Sequence, residues 1–239
     1  MPGARLHHLS TLAVAGGVDG VPRRFSEADL RIGQRFRTPY ERTKFAAEEE
    51  VGAWAASGRQ CYVHRSGHVA AHSRTGVFQR NVEDNRIYQL VRGYVLAGAA
   101  PSRPSESFAF SHVDTVAAGI AAMVTHAHAA PGVYHVESPY TVPHDELVAW
   151  LVSLGHPVDL TDDHAFGAAL SRVERRHPTA ARLASAWSGL GSRNVVVDSS
   201  HTTSALDRVG VRFAPPTRAW WAAAMAWATE VGFLPAPPQ

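Results

Sequence analysis

The chain has 239 residues, a mass of 25.8 kDa, 45% hydrophobic and 18% charged residues, and a formal net charge of +2. That balance suits an ordinary globular protein with a sizeable core, and it argues against nucleic-acid binding because no basic run tracks a phosphate backbone. A lone cysteine, Cys61, excludes an internal disulfide and suits a reducing, cytoplasmic setting.

In chain order, "ARLHHLSTLAV" reads as a buried strand that runs into a glycine-rich loop. Residues 15–39 are polar and rich in glycine and proline, and are expected to form a long surface connection. A helix is expected from Thr38 or Pro39 to Ala56, with Pro39 in its first turn and Gly58 past its end. "QCYVHR" at 60–65 reads as a second strand, and 85–101 as a helix closed by Gly98 and Pro101. "SFAFSHV" is extended, "VDTVAAGIAAMVTHAHAA" helical, "GVYHV" at 132–136 a strand, and "VPHDELVAWLVSLG" another helix. "RNVVVDS" at 193–199 is extended, and two helices close the chain. "AWWAAAMAWA" at 219–228, in the last of them, is too short to span a bilayer, and no membrane partner is expected. Strands alternating with helices predict an α/β fold with a parallel sheet. Two domains are expected, 1–139 carrying the sheet and 140–239 forming a smaller, mainly helical lobe.

Lys44 is the only lysine; the other 22 basic residues are arginine. It lies four positions after Tyr40, so the two share one face of the predicted helix. An ammonium near a phenol favours the phenolate, and a compact ammonium grips ribose hydroxyls in a way the broad guanidinium does not. A solvated helix face would explain the same pair.

Other motifs give less. Gly16, Gly17 and Gly20 follow a strand, but Pro22, Arg23 and Arg24 come next in place of a helix, so "AVAGGVDG" reads as a loop and not as a dinucleotide fingerprint. His64, His68 and His72 recur at intervals of four, yet on a strand broken at Gly67 that spacing aligns nothing, and no metal site is expected. There is no G-x-S-x-G elbow of a serine hydrolase.

Four stretches together, "LHHLSTLAVAG", "TPYERTKFAAEE", "HRSGHVAAHSRTGVFQRN" and "FSHVDTVAAGIAAM", resemble the extended short-chain dehydrogenases/reductases. "SRTGVFQ" narrows the likeness to the thioester reductase domains that end nonribosomal peptide and polyketide assembly lines, and to carboxylic acid reductases. The likeness runs from about residue 4 to at least 155, and "VGFLPAP" again looks like a family ending. It implies a Rossmann-type sheet with a helical substrate lobe. Thr11 matches the hydroxyl that bonds the substrate carbonyl, with Ser10 its neighbour and second choice; Tyr40 matches the catalytic acid and Lys44 the ribose-binding lysine. Ser66, Gly67 and His68 fall where the cofactor pocket is lined, and Arg74 lies in the stretch assigned to substrate.

The implied reaction is reduction of a thioester by NADPH, with NADH the poorer donor, giving aldehyde or alcohol. The implied partner is a carrier protein bearing the thioester on a phosphopantetheine arm. Against the family pattern, Ser66 replaces a proline, Ala71 a glycine and His72 an aspartate. A looser loop, and a clash if residue 71 needs positive φ, are expected. The family's phosphate-loop half is not in this sequence. An upstream start, a separate chain supplying that half, or a degenerate remnant would each account for it. A catalytically silent scaffold, or an NAD-dependent epimerase or dehydratase, remain the alternative functions.

Overall fold

The computed structural model of the chain describes residues 4–125, 130–189 and 194–238. Strand β1 (Leu6–Thr11) runs into a 3-10 helix (Leu12–Ala15), followed by β2 (Arg23–Phe25), helix α1 (Pro39–Ala56), β3 (Cys61–Ser66) and β4 (His68–Ala70). Next come α2 (Arg86–Ala97), β5 (Ala99–Pro101), β6 (Ser107–His112), α3 (Val113–Thr125), β7 (Gly132–Val136) and β8 (Thr141–Pro143). The remainder is α4 (His144–Ser153), β9 (Asp159–Thr161), α5 (Asp163–Glu174), α6 (Pro178–Gly189), β10 (Val195–Val197), α7 (Ser200–Arg208) and α8 (Arg218–Glu230). The predicted α/β class is the observed one. Residues 126–129, at the end of the helix expected after Val113, and Arg193 lie outside the described residues. None of the described helices is long and apolar enough to cross a membrane.

The chain folds as two compact units that interleave in sequence. One holds Met1–Val69, Asp114–Pro139 and Ser192–Ala214; the other holds Ala70–Val113, Tyr140–Gly191 and Pro215–Gln239. This differs from a single boundary after residue 139. Apolar burial decides it: α2 packs with α5 and α6, so 70–113 joins the helical unit, whereas β10 and α7 pair with β2 and β7 in the first unit.

In the first unit β3 lies between β1 and β7, all parallel, with Leu6 opposite Cys61 and Thr11 opposite Ser66. Ser66 in turn lies opposite Val136. β1 was expected to be buried, but only Ser10 of it is, and Leu9 is 58% exposed. Among the described strands β1 pairs on one side only, with β3. The expected surface connection 15–39 also differs. It contains β2, which pairs in parallel with β10, and it buries Val18, Phe25 and Ile32 with Leu12, Val14 and Ala15. Two arginines in a three-residue strand hide it from pattern reading.

Helix α1 starts where its sequence dictates. Thr38 caps it, Oγ1 accepting the Glu41 N–H at 3.3 Å, while Glu41 Oε2 accepts the Arg37 N–H at 2.6 Å. This fixes Tyr40 in the first turn. The buried side chains of α1 are Glu41 and Glu48, so no apolar stripe seats it.

The second unit holds one extended apolar core that includes Tyr94, Phe108, Phe110, Leu147, Phe166 and Trp221. Asn85 caps α2 through the Ile87 and Tyr88 N–H groups, and Gly98 ends it in the left-handed region at φ 64°. Gly93 is where α2 meets α6: a Cβ there would sit 2.7 Å from the Ala184 Cβ.

Candidate active site

Of the residues singled out by sequence, Thr11 and Ser66 close the parallel strands β1 and β3 at their carboxyl ends, the end at which open α/β sheets bind ligands. Thr11 closes β1, and its Oγ1 accepts the Ala13 N–H at 3.2 Å as cap of the 3-10 helix. That bond uses an acceptor site and leaves the hydroxyl proton to donate. Ser66, in register beside Thr11, closes β3, and its Oγ donates to the Ser10 carbonyl at 3.4 Å.

Tyr40 and Lys44 stand one turn apart on α1, about 6 Å along its axis. Lys44 Nζ donates to the Leu9 carbonyl at 3.0 Å, which fastens the ammonium to β1 two residues before Thr11. Tyr40 is 51% exposed. His8 on β1 also feels this helix: burial, then the Lys44 charge, lowers its pKa.

Ser10 behaves differently from its neighbour. It is buried, and its Oγ donates to Glu48 Oε1 at 2.5 Å. Its one proton is therefore engaged inside the unit, and Thr11 is the hydroxyl with a proton to offer a ligand.

The Ser66–Gly67–His68 turn is tied down without the proline. The carboxyl of Glu137 lies against Gly67, so close that a Cβ on residue 67 would fall 1.6 Å from Oε1. The same carboxyl accepts the backbone N–H of His68, and burial pushes its pKa up to about 7. Val69 N–H also closes on the Gly67 carbonyl at 3.1 Å. The expected looseness of this loop is thus replaced by a side-chain clamp. Nor does Ala71 carry the feared strain, since Asn194 is the only non-glycine described residue with positive φ. Arg74 is exposed and belongs to the second unit, where its N–H donates to His72 Nδ1 at 3.2 Å.

The glycines after β1 serve the chain's own packing. Gly17 bridges Arg35, and a Cβ on Gly16 would stand 2.6 Å from the Arg35 carbonyl oxygen. The segment then enters β2, so no helix N-terminus stands behind this loop to receive a pyrophosphate.

Sequence reasoning missed the charges beneath the site. Arg65, 1% exposed, meets the Glu48 carboxylate through Nε at 3.0 and 3.1 Å and through Nη2 at 2.7 Å. Its Nη1 donates to the Asp29 carbonyl at 2.8 Å and to His135 Nε2 at 3.1 Å, and the guanidinium lies 4.8 Å over the Phe25 ring. His135 Nδ1 stands 2.9 Å from the Asp198 carbonyl, which can only accept, so the proton is on Nδ1 and Nε2 is the acceptor for Arg65. Burial, then the Arg65 charge, holds the His135 pKa down, in keeping with that neutral ring. The available signal was spacing: Glu48 continues the Tyr40, Lys44 series by one more turn.

Among the described residues no group of three His, Cys, Asp or Glu side chains could hold a metal ion. His64 is stacked instead, its Nε2 3.0 Å from His7 Nδ1.

Known proteins resemble this chain in sequence and fold. A family model for an NAD-binding domain, described as male sterility protein, matches residues 1–120. A carboxylic acid reductase of Segniliparus rugosus is 31% identical over 180 residues, which is 66% of this chain and 15% of that protein. The terminal R domain of the myxalamid PKS-NRPS biosynthetic pathway superposes with a TM-score of 0.84 at 24% identity, over 98% of this chain and 60% of that one. A thiolation-reductase di-domain from an archaeal nonribosomal peptide synthetase superposes with a TM-score of 0.81 at 21% identity, over 95% and 49%. The chain thus spans 15% of the curated relative and 60% or less of these two solved structures. At these identities the structural likeness shows the fold.

Proposed function

We propose a function on one premise: the chain belongs to the NAD-binding family described as male sterility protein. On this reading it takes part in the nicotinamide-dependent reduction of an acyl or peptidyl thioester, held on the phosphopantetheine arm of a carrier protein, to an aldehyde or alcohol. NADPH is the proposed donor.

The observation that carries the reading is the bond from Lys44 Nζ to the Leu9 carbonyl. It joins the helix that bears Tyr40 to the strand that ends in Thr11. The residues present suit the nicotinamide end of the cofactor. Lys44 has used one N–H on Leu9 and keeps two for ribose hydroxyls, and the Glu137 clamp gives the Ser66–His68 turn a fixed backbone. Residues 16–20 do not suit the pyrophosphate end, because Gly16 and Gly17 are closed against Arg35.

When bound, the nicotinamide supplies the hydride. The chain's own part is to hold the oxygen on which charge builds. Thr11 donates its free proton to that oxygen, and Tyr40 donates a second hydrogen bond and then the proton. Lys44 orients the ribose from the same helix face. Ser10, with its hydroxyl committed to Glu48, takes no direct part.

Titration of the purified chain with NADPH, followed by nicotinamide fluorescence, tests the reading. Saturable binding at micromolar concentration supports it. No binding, even with a carrier-bound thioester present, favours a catalytically silent member of the fold, the second reading, which the closure of Gly16 and Gly17 on Arg35 favours.

A further inference from the structure

Helix α1 presents Tyr40, Lys44 and Glu48 at intervals of four, on one face. Each of the last two reaches a successive residue of β1. Lys44 Nζ holds the Leu9 carbonyl at 3.0 Å, and Glu48 Oε1 holds the Ser10 hydroxyl at 2.5 Å. The residue that follows is Thr11. The other oxygen of Glu48 accepts Arg65 Nη2 at 2.7 Å, so the same carboxylate also binds the residue before Ser66, whose own hydroxyl returns to the Ser10 carbonyl.

Stability alone is a weak reason for such a pair. A buried arginine and glutamate, 1% and 3% exposed, are costly to desolvate, and well-packed apolar residues of the same volume commonly do as well. What an apolar replacement cannot do is fix two strands and a helix by directional bonds. The guanidinium is itself fixed from behind by the Asp29 carbonyl and by neutral His135, whose backbone N–H is held by Thr202 Oγ1 at 2.7 Å. Thr202 in turn donates to Glu27 Oε1 at 2.9 Å. The carboxylate therefore has little freedom to shift.

From this geometry we propose that Glu48 is a positioning residue, which through the Ser10 hydroxyl sets the Thr11 hydroxyl against the Tyr40–Lys44 face of α1. The proposal rests on the reading of Thr11, Tyr40 and Lys44 as the catalytic set. Glu48 touches no substrate. It acts by holding the strand end within the roughly 0.5 Å that a catalytic constellation tolerates, and a misplacement of about 1 Å costs on the order of a hundredfold in rate.

The test uses the full 239-residue chain, NADPH, and an acyl thioester of pantetheine as probe. Ser10→Ala is the informative variant, because it cuts the link and leaves the Glu48–Arg65 pair whole. Expected are an unchanged NADPH Kd, a thermal midpoint close to that of the parent, and a kcat lowered at least about tenfold with KM little altered. Ser10→Thr, which restores a hydroxyl, recovers most of that loss. A crystal structure of Ser10→Ala is expected to show Thr11 Oγ1 displaced by about 0.5 Å or more.

A Thr11 hydroxyl that superposes on the parent overturns the proposal, as does full turnover in Ser10→Ala. If Thr11→Ala abolishes turnover and Ser10→Ala does not, the positioning role alone fails. If the parent chain shows no turnover, or Tyr40→Phe and Lys44→Arg keep it, the reductase reading fails and takes this role with it. Glu48→Gln is the companion variant; folded protein with parental kcat would count against the proposal in the same way.

Discussion

The second unit buries Tyr94, Phe108, Phe110, Phe166 and Trp221 in one continuous apolar cluster. In the first unit the apolar interior is divided into two small clusters, one around Tyr62, Val136 and Leu206 and one around Val14 and Phe25. The first unit also buries Arg65, Glu48, Ser10, His64, His135 and Thr202. Apolar packing is strong and non-directional, whereas charges and hydrogen bonds taken out of water bring little net stability and much geometric definition. The proposed catalytic residues belong to the unit with the polar interior. The larger apolar cluster of the second unit serves cohesion, whereas the buried ion pair of the first serves placement.

The largest effects should separate these uses. Trp221→Ala empties a fully buried site and is expected to cost about 3–5 kcal/mol in urea unfolding. Removing one partner of the buried pair, as in Arg65→Ala, is expected to cost a similar 3–5 kcal/mol or so, because it strands the Glu48 charge. Replacing both together, Glu48→Leu with Arg65→Met, should restore stability to within about 1–2 kcal/mol of the parent. That joint variant breaks the comparison if it unfolds like Arg65→Ala. A chain that folds well with the proposed Thr11–Tyr40–Lys44 set idle supports it.

A smaller pair of effects comes from glycines at close approaches. At Gly93 a methyl would meet the Ala184 Cβ at 2.7 Å and the Ala180 carbonyl at 2.9 Å, both on a neighbouring helix. Gly93→Ala should gain about 1 kcal/mol of helix propensity and lose more through forced separation of α2 and α6. At Gly67 the obstacle is the end of one side chain, Glu137. Gly67→Ala is expected to cost about 1–3 kcal/mol, and the cost should largely vanish when Glu137 is also alanine. A double-mutant cycle in thermal or urea unfolding reads this coupling. Purely additive losses would mean that Glu137 does not clamp the turn.

The sequence made some of this visible for identifiable reasons. Helix α1 announced itself through Thr38, Pro39 and Gly58, and Lys44 through being the only lysine. The strands β3 and β7 carried β-branched and aromatic runs that survive in the fold. What stayed hidden was whatever depended on pairing across the chain. Glu41 and Glu48 look like a solvated helix face, yet they are the buried side chains of α1. Glu137 takes its role from lying against Gly67, seventy positions away in sequence, and His135 from meeting Arg65 across β3 and β7. β2 was hidden by its brevity and its two arginines, and the interleaving of the units by the fact that a boundary drawn on a line cannot return.

The smallest effects expected are slopes with pH, and they test whether the polar interior of the first unit carries the titration. Burial, followed by the nearby His7 and His8 rings, holds His64 down to about 4 from 6.5. On acidification the unfolded chain takes up this proton first, so the stability tied to neutral His64 is complete above pH 6.5 and drains away as pH falls toward 4. Glu137 runs the other way. Burial raises its carboxyl from 4.5 to about 7, so its contribution is complete below pH 4.5 and is lost as pH rises toward 7. Between pH 4.5 and 6.5 the two slopes oppose each other, each about 1 kcal/mol per pH unit, and His135 and His156, which burial also lowers, add to the His64 side. Glu137→Gln should unmask the histidine, with urea midpoints falling on acidification across that window. His64→Phe keeps a ring between His7 and Tyr134 and should unmask the carboxyl, with midpoints rising on acidification, against a residual opposite pull from His7 and His8, which burial also lowers. Parallel slopes in the two variants would show that neither group is the source, and the assignment of this titration to the first unit's interior would fall with them.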